Sequence, residues 1–158
     1  SSKNHMTTET MQNIYLIREG TIKEVVALSL LIPEFSAPYQ EDEYTLRLQG
    51  VPSLILVAEH ADRVVGFKVG YAKRAEIFYS WMGAVLPEYR QEGVAKALAQ
   101  TQENWAKLHG FQFIQCKTRN RLKAMLHFAL GNGFDIIGVE PRAVVGEHRI
   151  LLQKSLEY

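Results

Sequence analysis

The chain has 158 residues, 47% hydrophobic and 22% charged, with a formal net charge of +1. That length suits one domain whose core needs no disulfide or metal staple, and the charge balance excludes broad attraction to nucleic acid or an anionic membrane. The single cysteine, Cys116, excludes an internal disulfide and a multi-cysteine zinc site.

His5-Met6 resembles a cloning scar before a natural initiator, so residues 1–5 are set aside and 6–158 is read as one domain. Asn13 to Arg18 reads as a first strand. Thr21 with Glu24 three residues on forms a capping box for a helix from Ile22 to about Ile32, stopped by Pro33. A short helix follows from Glu41 to Leu48 and ends at Gly50. Ser53–His60 and Val64–Lys73 are β-rich runs joined by Ala61-Asp62-Arg63 as a hairpin, and Glu76–Val85 is the third member of that meander. Val94–Leu108 reads as a long amphipathic helix, Phe111–Thr118 as a strand and Arg121–Leu130 as a helix closed by Gly131-Asn132-Gly133. Phe134–Val139 and Glu147–Leu156 are the closing strands. Strands in a meander, then strand–helix–strand–helix–strand, give an α/β domain with a mixed sheet. No apolar run approaches membrane-spanning length and no signal-peptide pattern appears, so the compartment reading is cytoplasmic.

The chemistry concentrates at Arg90-Gln91-Glu92-Gly93-Val94-Ala95, between the strand ending at Val85 and the helix opening at Val94. A glycine-containing loop feeding a helix start gathers unpaired N–H groups and the positive end of the helix dipole, which suits a pyrophosphate. Gly93 admits close backbone approach, Ala95 keeps the first turn narrow, and Arg90 adds a permanent charge. The alternative for the hexapeptide alone is an ordinary helix start after a turn. The pattern is not G-x-G-x-x-G and lacks a Lys-Ser/Thr pair, so a nucleotide-binding α/β protein fits poorly.

The order of elements around this loop resembles the GNAT superfamily of acyl-CoA N-acyltransferases, from about Asn13 to the C-terminus and most strongly between Tyr79 and Gly138. The resemblance implies a single-domain GNAT-like fold. Its sheet would be mixed and mostly antiparallel, splayed between the fourth and fifth strands and flanked by about four helices. It implies acetyl-CoA as cosubstrate, bound by Ala84, Val85, the loop Arg90 to Ala95, Asn120 and Phe128, with no metal. The Val85 N–H would polarise the thioester carbonyl, and Gly83 suits a bulge or a close backbone approach beside it. Asn120 fits either a pantetheine contact or a plain helix N-cap. Many relatives place a proton-donating Tyr where this chain has Phe128, which has no hydroxyl.

The acceptor would be a small-molecule amine or a protein amino group, not nucleic acid or a membrane, with a homodimer left open. Glu76 and the cluster Glu41-Asp42-Glu43 are candidate bases by position. Glu34, Tyr79 and Trp81 are candidate acceptor contacts, and Glu34 with Glu41, Asp42 and Glu43 would form an acidic wall drawing a cationic amine. His60, His109 and His148 have no metal-ligand spacing. Cys116, within a strand, reads as an inert thiol, so direct attack in a ternary complex is favoured over an acyl-enzyme. A fold-retaining CoA-binding regulator or sensor without catalysis is the alternative, favoured only by Phe128.

Overall fold

A computed structural model describes residues 15–157. Residues 1–5 and the expected strand start at Asn13 and Ile14 lie outside the described residues. Seven strands form one sheet in the order β1-β2-β3-β4-β5-β7-β6. In chain order the elements are β1 (Leu16–Glu19), α1 (Ile22–Ser29), α2 (Glu41–Leu48), β2 (Ser53–His60), β3 (Arg63–Arg74), β4 (Ile77–Val85), α3 (Val94–Leu108), β5 (Phe113–Arg119), α4 (Lys123–Gly131), β6 (Asp135–Glu140) and β7 (Arg149–Ser155). Every strand pair is antiparallel except β4 with β5.

Local chemistry sets most boundaries. Thr21 accepts from the Glu24 N–H while the Glu24 carboxylate accepts from the Thr21 N–H, so the capping box is formed. The first helix ends at Ser29, three residues earlier than the sequence suggests. The Ser29 hydroxyl donates back to the Val25 carbonyl, and Leu31 and Ile32 bond three residues back, tightening the chain before Pro33. The β2–β3 hairpin turns on Ala61 and Asp62 alone, both in left-handed conformation at φ 49° and 64°, as a two-residue turn demands. The last helix starts at Lys123 rather than Arg121. The Asn120 N–H is drawn to the His148 carbonyl and the Arg121 N–H to the Gly146 carbonyl, just after and within the 3₁₀ turn Val145–Glu147, and that turn also delays β7 to Arg149.

The two faces of the sheet do different work. Gly66 on β3 faces α3, since a Cβ there would lie 3.2 Å from Val94 and Leu98 side-chain atoms. Phe78 packs on the same side against Trp105 and Phe111, at 5.4 and 5.2 Å between ring centroids. On the opposite face Trp81 stacks among Tyr39, Tyr44 and Tyr71, with centroids 5.0–6.0 Å away. The main core joins α1, α2, β1–β4 and α3, and a smaller cluster of Ala129, Ile150 and Leu152, with Cys116 and Leu126 against it, seats α4 on β5 and β7.

Candidate active site

The pairing of β4 with β5 sets the site. Ile77, Phe78 and Tyr79 pair with Phe113, Ile114 and Gln115, and there the parallel ladder stops. Among the described residues, Ser80 to Val85 therefore has β3 on one edge and no strand on the other, a splay opening toward the loop that precedes α3. The expected bulge is present but sits at Trp81, not Gly83: Val69 faces Met82 and Gly70 faces Ser80, leaving Trp81 as the extra residue. Trp81 and Met82 thus fall on one face in succession, and the direction of the strand changes where the gap begins.

Backbone direction then assigns roles within the splay. The Leu86 N–H donates to the Val65 carbonyl on β3 at 2.8 Å. Since successive residues of a strand direct their polar groups to opposite edges, Val85 directs its N–H and C=O away from β3 and into the gap. Gly83, two residues back, shares that direction. Ala84, expected to present its backbone to the arm, instead turns toward β3, where it pairs with Phe67.

The loop after β4 runs directly into α3. Gly93 caps α3 at φ 85° and ψ 4°, with no side chain satisfying the first-turn N–H groups and no acidic residue in that turn. Gln91 is also left-handed at φ 63°. The backbone N–H groups of Gly93, Val94 and Ala95 converge at the positive end of a 15-residue helix. Lys96 stands exposed in the same turn, a cation the sequence reading overlooked. Two loop side chains are committed elsewhere. Arg90 donates through Nε to the Val85 carbonyl at 2.9 Å and through its two terminal nitrogens to Glu34, at 2.7 and 2.9 Å. Glu92 accepts from the Tyr15 hydroxyl at 3.0 Å. Arg90 is thus a clamp between β4, the loop and the α1–α2 connection. Its guanidinium holds the Glu34 carboxyl below the usual carboxylate range.

The remaining expectations separate. Asn120 is not the N-cap of α4, a position held by Leu122; its amide donates to the Val145 carbonyl and its carbonyl accepts from Lys123, fixing the loop at the mouth of the splay. Phe128 is half-buried on α4. Tyr79 and Trp81 share the face opposite α3, and Arg47 lies over the Trp81 ring at 4.4 Å. Burial raises the Tyr79 phenol to about 12, so it stays protonated and can donate but cannot serve as a base near neutrality. Glu76 stands at the closed end of β4, about 30 Å from Val85 at some 3.3 Å per residue, and the site does not gather it. Half of the acidic wall is paired, Glu34 with Arg90 and Glu43 with Arg47 at 2.8 Å, while Glu41 and Asp42 stand exposed. Cys116 is half-buried, and burial lifts its thiol to about 11, which keeps it protonated and poorly nucleophilic. No group of three His, Cys, Asp or Glu side chains that could hold a metal occurs among the described residues. No helix there is long and apolar enough to cross a membrane.

The chain is thus an α/β domain whose mixed sheet parts beyond Tyr79, beside a helix start with no side-chain cap. Residues 26–134 match the family described as the Acetyltransferase (GNAT) family, and the chain belongs to that family. Solved structures carry the same fold at low identity. That of the ribosomal-protein-S18-alanine N-acetyltransferase from Escherichia coli has a TM-score of 0.79 at 14% identity, over 92% of this chain and 96% of that one. Ard1 from Thermoplasma volcanium gives 0.79 at 18% identity, over 91% and 99%. A GNAT family acetyltransferase from Elizabethkingia anophelis, with acetyl-CoA bound, gives 0.71 at 17% identity, over 89% and 97%. No curated protein matches the sequence.

Proposed function

We propose that the chain transfers an acetyl group from acetyl-CoA to a primary amine, on a small molecule or a protein, by direct attack in a ternary complex. The observation that carries this reading is the splay, bounded by the Gly83 and Val85 backbone edge and ending at the uncapped first turn of α3. The pyrophosphate would lie against the N–H groups of Gly93, Val94 and Ala95, and the pantetheine arm along the open edge of β4 like an added strand. There the Val85 N–H would meet the carbonyl oxygen as negative charge develops on it. A similar structure from Elizabethkingia anophelis holds acetyl-CoA, which supports the choice of cosubstrate. The raised Cys116 thiol argues against an acyl-enzyme route.

The test is a panel of amines incubated with acetyl-CoA while free thiol is measured. Amine-dependent thiol release is expected; binding of coenzyme A with no release for any amine would favour a regulatory role. Two variants refine the reading. Phe128→Tyr should raise turnover or leave it unchanged, with affinity for coenzyme A hardly altered; a large loss of affinity would mean that Phe128 packs against the cofactor. Changing Glu41, Asp42 and Glu43 together to Gln, Asn and Gln should raise the Michaelis constant for a cationic amine by no more than about twofold at low salt. Glu43 is already paired with Arg47, and exposed charges are screened over about 8–10 Å near physiological ionic strength. A tenfold rise that salt abolishes would restore the acidic wall as an acceptor-binding element.

A further inference from the structure

Lys68 lies on β3 opposite Gly83 and faces α3, the same side as Gly66. Its chain crosses the strand: a Cβ on Gly83 would stand 3.5 Å from Lys68 Cγ and 3.7 Å from Nζ. The missing side chain of Gly83 therefore gives the lysine its path across β4, toward the edge that β5 leaves open. Lys68 is half-buried, and its amino group has no hydrogen-bond or ion-pair partner among the described residues. The groups facing it can be named by element. Cys116 comes from β5 and Glu103 from α3, and the Glu103 carboxylate is already taken by Lys154 of β7 at 2.7 Å. From α4 the cluster at Cys116 receives Leu126 and Ala129, while Lys123 and His127 are exposed. The half-buried amine is left to water and to whatever enters the open edge.

Acetyl transfer would bring a proton acceptor to that edge. As the acceptor nitrogen bonds to the carbonyl carbon, the carbon–sulfur bond breaks and the sulfur leaves with the electron pair. On this side of the cleft Phe128 offers no proton and the Cys116 thiol holds its own. We propose that Lys68 meets the departing sulfur of coenzyme A, its ammonium giving a proton to the thiolate to leave coenzyme A as the thiol and Lys68 as the neutral amine. The proton shed by the newly acylated nitrogen goes to water, and Lys68 recovers its proton from water on product release. This role rests on the acetyl-CoA reading above. Burial moves the Lys68 amine below the 10.5 of a free lysine, bringing it nearer the thiol it must protonate, whose ordinary value is about 8.5.

The experiment compares wild type, Lys68→Met and Lys68→Arg, each checked for folding by circular dichroism. The probes are coenzyme A, desulfo-coenzyme A and single turnover of acetyl-CoA with the best amine of the panel. In wild type, turnover should fall on the alkaline side as Lys68 loses its proton, at a pH below 10.5. Lys68→Met should lower single turnover about 100-fold, within the range of a lost general acid, and abolish that alkaline fall. It should also erase any preference for coenzyme A over desulfo-coenzyme A above the thiol pKa, leaving desulfo-coenzyme A affinity unchanged. Lys68→Arg keeps the charge without a transferable proton, so it should retain the preference and lose turnover. An unchanged rate and pH profile in either folded variant, or equal loss of both ligands, would overturn the proposal and make Lys68 a packing residue. Wild type binding neither ligand would overturn the acetyl-CoA reading and this one together.

Discussion

Gly93→Asp should give a folded protein that has lost coenzyme A, with affinity at least about 100-fold weaker, or roughly 2.8 kcal/mol at 1.4 kcal/mol per decade. No heavy atom lies within 4 Å of a Cβ at this position, so the new side chain meets open space and displaces nothing in the fold. That open space lies before the first-turn N–H groups of α3. An aspartate there would accept from those N–H groups and put negative charge where the pyrophosphate needs positive potential. The cost to folding is the left-handed backbone at φ 85°, about 1–2 kcal/mol for a residue with a Cβ. At roughly 2–4 °C per kcal/mol in a chain of this size, the melting temperature should fall by about 2–8 °C. Gly93→Ala is the companion: it shares the backbone strain without the charge and should keep more of the affinity. Affinity close to wild type in Gly93→Asp, measured by calorimetric titration, would remove the loop from the binding site.

The loop was legible because its chemistry is local. A glycine, a helix start and the absence of acidic residues in the first turn can all be read within a few positions, and the structure places Gly93 as the cap with that turn unsatisfied. Helix α2, strand β2 and helix α3 follow the sequence boundaries for the same reason, since turn residues and a change of hydrophobic period bracket each of them. The errors arose where distant segments compete for one backbone group. Asn120 looks like a helix cap, but carbonyls more than 20 residues later take the Asn120 and Arg121 N–H groups and delay the helix. Glycine's permissiveness makes Gly83 suit a bulge or a close approach; the bulge falls at Trp81, where a large side chain gains contact with Tyr39, Tyr44 and Tyr71, and Gly83 has the close approach of Lys68 instead. Acidic residues gave the least reliable signal. Nothing in the sequence shows that Glu34 and Arg90, 56 positions apart, will be joined, or that Lys68 will run across Gly83.

That long-range pair carries the second large effect. Arg90→Lys should raise the Michaelis constant for acetyl-CoA about tenfold, with a smaller change in turnover. Its guanidinium spans three acceptors, the Val85 carbonyl and both Glu34 oxygens, and a lysine cannot reproduce that fork. Little of this concerns global stability, because both side chains are more than a third exposed and such pairs contribute at most about 1 kcal/mol. The clamp instead fixes the end of β4 against the loop, so that the Val85 edge and the Gly93 turn hold one geometry for a single ligand. The Glu34 carboxyl is held down chiefly by its hydrogen bonds to Arg90. The pair therefore contributes fully above the ordinary glutamate value of about 4.3 and is lost as pH falls through the lower folded value. Glu34→Gln separates the clamp from a direct phosphate contact. If Arg90 positions the loop, Glu34→Gln and Arg90→Lys should weaken acetyl-CoA to similar extents, and the double variant should be no worse than either. If Arg90 instead binds the pyrophosphate through its charge, Arg90→Lys should retain most of the affinity. Glu34→Gln, by freeing the guanidinium, should then tighten binding, and that result would sink the clamp.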